Sequence, residues 1–307
     1  MRKKISENDK KVLEFLIKYK MLKVEDASLI YKRKRYYRER INYLIENKYV
    51  KKYKSYILID RNGRKELKDL HIPYIKNINN DAYMDRHKYI ASIASITINS
   101  NVVFKPSWEL KNKSIYTETS RRYIGEMNIE SKKFLVYYLA KKKPHVYIKQ
   151  LMFDINKSQK DIDIIIFVEN YDALQEKYSY LSFGKNNTYI IINNKENKEI
   201  IRKWDKIDIH EIIENMYNGE VYISDWNLAD YMYEENKYIL WMPFINTESI
   251  SRINWFYKEN ENSKKEMEII TLKENKEILE KLLSNKFNIK TITEGLIENW
   301  IFEEDVI

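Results

Sequence analysis

The sequence contains no cysteine, which excludes a disulfide framework, a thiolate zinc finger and a thiol nucleophile together. Glycine and proline are scarce: 5 Gly and 4 Pro in 307 residues leave no room for a collagen-like, Gly-rich or Pro-linker protein. No Gly-x-x-x-x-Gly-Lys-Ser/Thr phosphate loop occurs, so an ATPase is not expected. Its four histidines, His71, His87, His145 and His210, form neither a His-x-His nor a His-Glu-x-x-His pair, which argues against paired-histidine metal chemistry. No apolar run approaches the roughly 18 residues that cross a bilayer. Met1-Arg2-Lys3-Lys4-Ile5-Ser6 carries charge with no apolar signal core behind it. The expectation is a soluble cytoplasmic protein with no membrane partner.

What is abundant is charge, unevenly placed. Hydrophobic residues make up 44% and charged residues 33%, enough to build a core and too apolar for general disorder. The length predicts one large or two medium domains. The net charge of +9 resolves into +13 over residues 1–80, +7 over 81–150 and −11 over 151–307. A composition rich in Lys, Asn, Ile and Tyr explains the total but not the gradient. The gradient points to an amino-terminal module facing a polyanion and a carboxyl-terminal part with another task.

Ser6 and Asp9 have the spacing of a capping box, and Val12, Leu13, Phe15, Leu16 and Ile17 follow as a helix. A second short helix fits 24–31 and a third fits 34–47, with Tyr37, Ile41, Leu44 and Ile45 on its apolar side. The other side of the third helix carries Arg35, Tyr36, Arg38, Glu39 and Arg40. Two short strands, 49–53 and 56–59, flank Lys54-Ser55 as a tight hairpin. Asn62-Gly63 is read as a turn into a last helix over 64–70.

Helix, helix, basic helix, hairpin, helix is the order of a winged helix-turn-helix module, and the residues resemble one. Leu44-Ile45-Glu46-Asn47-Lys48-Tyr49-Val50-Lys51-Lys52 looks like a recognition helix running into its wing. Leu58-Ile59-Asp60-Arg61-Asn62-Gly63-Arg64-Lys65-Glu66-Leu67 looks like the strand, glycine turn and helix that follow. One helix fits the DNA major groove with its amino-terminal end at the base edges. Six of the ten residues from Tyr31 to Arg40 are basic. The candidate DNA-binding residues are therefore Lys32, Arg33, Lys34, Arg35, Tyr36 and Arg38 at that helix, with Lys51, Lys52 and Lys54 on the hairpin. Arg35 and Arg38 are the candidates for base contacts and the three hairpin lysines for backbone contacts. Tyr36 and Tyr43 serve equally well as core residues, and winged helices also act as protein-interaction modules.

After a connector over 74–80, residues 85–98 have a helical period with Tyr89, Ile90, Ile93, Ile96 and Ile98 as core positions. Strand-like segments follow at 102–104, 108–110, 123–124, 134–139, 162–168 and 188–192, with helices at 147–155 and 171–178 between them. This layout is that of a restriction-endonuclease-like α/β fold. Taken with the winged helix, residues 7–195 resemble the replication-relaxation family of plasmids and other mobile elements, in which a winged helix precedes a nuclease-like domain. On that resemblance His87 stands where a His ends the connector, and Trp108-Glu109 where a strand carries Trp and Glu. The family's Pro-Asp pair and its strand ending in Glu-x-Asp or Glu-x-Lys correspond to Gly125-Glu126 and to Leu135–Lys141, where Tyr138 and Ala140 replace the carboxylate. Cleavage of a phosphodiester by a metal needs converging carboxylates, so an intact site is not expected. Lys141-Lys142-Lys143 fits a phosphate contact better than catalysis. Tyrosine is abundant, at 26 residues, but no Arg, His and Lys constellation singles one out as a nucleophile.

Beyond residue 200, helices at 211–217 and 274–283 and strands at 237–242 and 267–272 are expected. Trp204, Trp226, Trp241, Trp255 and Trp300 argue for a packed domain, with a partner-binding surface as the second reading. Phe302-Glu303-Glu304-Asp305 is similar to short acidic tails that recruit partners. The expected organisation is a mixed α+β chain: a winged helix at 1–76, an inactive nuclease-like α/β domain at 81–200 and an acidic α+β extension at 201–307. The expected function is non-enzymatic, sequence-specific binding of double-stranded DNA at a replication or transfer origin of a plasmid, phage or conjugative element. No cofactor, metal site or catalytic residue is expected. The partners expected are duplex DNA, a protein held by the acidic part, and a second copy in a homodimer. The alternatives are a metal-dependent nickase using Glu109, Glu126 and Lys141, and a winged-helix transcriptional regulator whose larger domain senses a ligand or partner.

Overall fold

The computed structural model describes residues 5–32, 35–68, 81–110, 122–141, 145–157, 162–171, 187–219, 221–260, 263–283 and 287–292. The expected connector at 74–80, most of the helix at 171–178, His71, Lys142, Lys143, Trp300 and the 302–305 tail lie outside them. The protein is a mixed α+β chain that divides into two compact units, Met1–Lys113 with Ile124–Glu130, and Ser114–Tyr123 with Ser131–Ile307.

In the first unit, α1 (Glu7–Tyr19) starts on the predicted capping box. The Ser6 N–H donates to Asp9 Oδ2 at 2.7 Å and the Asp9 N–H to Ser6 Oγ at 3.3 Å. Then come β1 (Leu22–Lys23), α2 (Ala27–Tyr31), α3 (Tyr36–Glu46), β2 (Val50–Tyr53), β3 (Tyr56–Ile59) and α4 (Arg61–Lys68). The three strands form an antiparallel sheet in the order β1-β3-β2. In the central strand, Ile57, Leu58 and Ile59 are all buried, so both faces of the sheet are covered. On one face Ile59 lies beside Leu13 of α1, both close to Gly63. The opposite face, with Met21, Tyr53, Tyr56 and Leu58, packs on Met84 and Ala91 of α5 (Asp81–Ala94). Helix α5 thus completes the core of this unit. A 3-10 turn (Ser95–Thr97), β4 (Val103–Pro106), α6 (Ser107–Leu110) and β5 (Gly125–Ile129) complete it, with β4 and β5 antiparallel.

Local packing corrects several expectations. Asn62-Gly63 is not a turn: the helix begins at Arg61, and Gly63 lies inside it where an added Cβ would stand 2.3 Å from the Tyr49 carbonyl oxygen. Glycine is required there for close approach, not for a turn. Trp108-Glu109 falls on the short helix α6 rather than on a strand, and the strand expected at 123–124 begins at Gly125. Arg40, expected on the exposed side of α3, is only 4% exposed and forms a bidentate pair with Asp9, which is fully buried. The Tyr31 hydroxyl donates to the same carboxylate at 2.6 Å. Three helices are thereby joined at one anion.

The second unit continues with β6 (Lys132–Leu139), α7 (His145–Lys157), β7 (Asp163–Val168), β8 (Thr188–Ile192), α8 (Lys195–Arg202) and α9 (Ile209–Met216). After them come β9 (Tyr222–Ile223), β10 (Tyr231–Glu234), β11 (Lys237–Trp241), β12 (Ile245–Asn246), α10 (Thr247–Glu259), β13 (Glu266–Leu272), α11 (Lys276–Leu282) and β14 (Asn288–Ile292). β6, β7 and β8 are parallel neighbours, and Ile164 to Val168 are buried without a break, the mark of a parallel strand covered on both faces. β12 adds antiparallel to β8. A second, five-stranded sheet runs β14-β13-β11-β10-β9, with β11, β13 and β14 parallel. Because β11 and β12 are consecutive, the chain passes directly from one sheet to the other, a link with no local signature in the sequence. Trp226 is buried among Tyr238, Phe256 and Tyr257, as expected of a packed domain, whereas Trp255 is 65% exposed. Among the described residues no helix is long and apolar enough to cross a membrane.

Candidate nucleic-acid interface

The entry to α3 is built from an unusual backbone. Lys32 closes α2 in the left-handed region with φ 55°, its N–H donating to the Ser28 carbonyl at 3.0 Å. A β-carbon is disfavoured there, so the chain pays strain to reverse direction at a lysine. Arg33 and Lys34 lie outside the described residues. Arg35 occupies the cap position of α3 with helical dihedrals and no side-chain cap. The contrast with α1 is informative. That helix begins with Ser6, Glu7 and Asp9, the acidic and hydroxyl groups that suit the positive end of a helix dipole. α3 instead has Lys32, Arg35 and Arg38 about its first turn, with Glu39 as the acid there and the Arg38 N–H donating to the Arg35 carbonyl at 3.2 Å. Cations at the positive end of a dipole repel it, and an external anion relieves that repulsion.

Lys32, Arg35, Tyr36, Arg38, Lys51, Lys52 and Lys54 are all exposed. Arg38 is steadied by Tyr37, its Nε donating to the phenol oxygen at 3.1 Å with the guanidinium 5.7 Å from the ring centre. Tyr36 rests edge-on against Tyr31, at 6.1 Å, and keeps 40% of its surface in solvent. Tyr43 is half-buried beneath the Arg40 guanidinium, 4.7 Å from the ring centre. Tyr37, Ile41 and Leu44 hold the opposite side of α3 in the core. Asn42 is a residue the sequence reading missed. It is exposed four positions after Arg38 and seven after Arg35, the helical spacing that would have revealed it. Glu39 and Glu46 share that exposed stripe. Guanidinium, amide and carboxylate groups together form a donor and acceptor set of the kind that reads guanine, adenine and cytosine edges.

On the hairpin, Lys51 and Lys52 stand opposite Leu58 and Ile57, so neither has an acidic partner across the sheet. They point to opposite faces: Lys51 shares the Leu58 face that packs on α5, and Lys52 shares the Ile57–Ile59 face that packs on α1. Lys54 makes the turn in the left-handed region, φ 54°, with its amine 5.7 Å from the Tyr53 ring centre. Among the described residues, Lys32, Arg35, Arg38, Lys51, Lys52 and Lys54 form no ion pair. Lys10, Lys23 and Arg40 elsewhere in the same unit are paired with Glu7, Glu25 and Asp9.

The second candidate group surrounds Trp108. His87 is buried edge-on against that ring, 5.5 Å between centres, and its Nδ1 has no hydrogen-bond partner among the described residues. Burial, with the charges of Lys20 and Arg86 behind it, pushes the imidazole down to about 4. Lys20 is buried with its amine 5.9 Å from the Trp108 ring centre, donating to the Ile17 carbonyl at 2.9 Å. Burial pulls it down to about 8, and Glu109 restores part of that loss. Glu109 is exposed, yet partial desolvation raises its carboxyl against the opposing charges of Lys18, Lys105 and Lys20. Glu126 is buried on β5 with Lys105, its cross-strand partner, at 3.8 Å. The lysine placed beside Glu126 is therefore Lys105. Lys141 is exposed at the end of β6, where its N–H donates to Glu169 Oε2 at 3.0 Å, and Tyr138 is buried with its hydroxyl accepting from Asn193. Among the described residues no group of three or more His, Asp or Glu side chains converges as a metal site. Comparison with family models, with curated proteins and with solved structures finds no match for this chain.

Proposed function

We propose that the protein binds double-stranded DNA in a sequence-directed way, without catalysis, and that residues 5–68 act as a winged helix. The reading is supported by the element order helix, strand, helix, helix, hairpin, by the strand order β1-β3-β2, and by α3 lying between two exposed cationic segments. The observation that carries it is the set of six exposed cations, placed at the start of α3 and on the hairpin, that form no ion pair among the described residues. In this reading α3 enters the major groove, Arg35, Arg38 and Asn42 face base edges, and Lys32, Lys51, Lys52 and Lys54 meet phosphates. The target we propose, on the resemblance to the replication-relaxation family alone, is a replication or transfer origin of a mobile element. The acidic carboxyl-terminal part then holds a protein partner, and a homodimer would suit a palindromic target.

The test is binding of the full chain to duplexes selected from a random pool, against scrambled duplexes of the same composition. The double variant Arg35→Ala/Arg38→Ala is expected to lose about tenfold or more on the selected duplex and much less on the scrambled one. Equal losses on both would remove these two residues from base reading, and a wild-type chain that selects no duplex would sink the proposal itself. The reading as a metal-dependent nickase keeps one supporting observation, the buried Glu126 with Lys105 beside it and Glu109 within electrostatic reach of the same lysine. Nicking of supercoiled DNA with magnesium or manganese, lost in Glu126→Ala, would replace the non-catalytic reading.

A further inference from the structure

Helix α7 does not present the polar outer stripe that an amphipathic helix usually shows. Ile148, Leu151, Met152 and Ile155 are buried, as the 3.6-residue period requires. On the outside, Val146 is 62% and Phe153 57% exposed. These two residues are seven positions apart and lie on one line along the helix, with exposed Lys149 and Gln150 between them. Together with Arg122 and Asp154 they line a shallow, open depression of about 470 Å³. Arg122 forms an ion pair with Asp154, donates to Gln150 at 2.6 Å, and has its guanidinium 6.0 Å from the Tyr147 ring centre.

Residues 141–157 contain five lysines and a single acid, Asp154, which is buried beside Arg122; of these lysines, Lys149 is exposed on the outer face of α7 between Val146 and Phe153. An apolar protein helix laid along the Val146–Phe153 line would strip water from Lys149 at its centre without supplying a counter-charge. A polyanion supplies that charge. A duplex hides the faces of its bases, whereas a single strand offers them to an exposed ring while its phosphates meet the cations alongside.

We infer that the outer face of α7 binds single-stranded nucleic acid, one base stacking on Phe153 and a second lying against Val146 while the backbone runs past Lys149 and Arg122. The assignment rests on the second unit alone and does not depend on α3 reading duplex DNA. Fluorescence anisotropy of the full chain with labelled oligothymidylate, and separately with a labelled random-sequence duplex, tests it. Phe153→Ala is expected to weaken oligothymidylate binding about 5- to 100-fold, the worth of one base–aromatic stack, and to leave the duplex affinity unchanged. Phe153→Trp should restore binding, and Lys149→Ala should lower both the affinity and its salt dependence. Failure of the wild-type chain to bind oligothymidylate, or equal binding by wild type and Phe153→Ala, overturns the assignment. So does a self-association that Phe153→Ala abolishes in sedimentation while oligothymidylate affinity stays the same, since the face then belongs to a second copy. Loss of duplex binding alone would count against the winged-helix reading and leave this one standing.

Discussion

Asp9 is fully buried and keeps its negative charge through its neighbours. Burial alone would raise its carboxyl, but hydrogen bonds from Arg40, Tyr31 and Ser6 outweigh that cost and hold it below the ordinary range. Arg40→Met would leave this charge uncompensated, with an expected loss of about 3–5 kcal/mol in urea unfolding. The double variant Asp9→Leu/Arg40→Met removes both charges and should lose less than Arg40→Met alone; a larger loss would mean that the pair is not the main contact between α1 and α3. His87 makes the opposite case, a neutral imidazole that burial prevents from charging. Its folded value of about 4 lies below the ordinary 6.5, so the unfolded chain binds more protons between those limits. Stability should therefore fall as pH drops from 6.5 towards 4, by an amount on the order of 3 kcal/mol over the whole window. A His87→Phe variant should flatten that slope in unfolding curves taken at a series of pH values, and an unchanged slope would assign it to other groups.

At the scale of elements, the hairpin and α3 differ in how much of their role was legible. The spacing of Tyr37, Ile41 and Leu44 located α3, and alternation with a two-residue gap located the hairpin, because both periods are local. What sequence grouped together, the pair Lys51 and Lys52, the sheet separates onto two faces. Lys52 points to the side of α1, to which α3 is tied by the Asp9–Arg40 pair, and Lys51 to the side of α5. Lys52→Ala should therefore weaken duplex binding more than Lys51→Ala, each through phosphate contacts that leave the ratio of selected to scrambled duplex unchanged. Equal effects, or a change in that ratio, would show that the hairpin is used differently. Residues 108–110, expected as strand, lie in the helical turn Ser107–Leu110, since so short a segment fits either conformation and its neighbours decide. Gly63 was expected in a turn because Asn-Gly so often makes one; the nearby Tyr49 carbonyl, invisible from the local sequence, is the reason it is glycine.

For the whole molecule, the positive end of the charge gradient coincides with the unit that carries the six exposed cations of α3 and the hairpin. If four to six of them meet phosphate, the logarithm of the duplex binding constant should fall against the logarithm of salt with a slope of about −4 to −5. A slope near −1 in a potassium chloride titration would leave most of these cations outside the interface. The chain alone determined the charge distribution, the missing chemistries, the capping box and the strongly periodic helices and strands, because each is set by residues close together in sequence. Tertiary structure decided that Arg40 turns inward, that α5 closes the far face of the first sheet, that β12 joins β8 and that Phe153 stays outside. Burial depends on partners brought together from distant positions, and no local period records which partner will arrive.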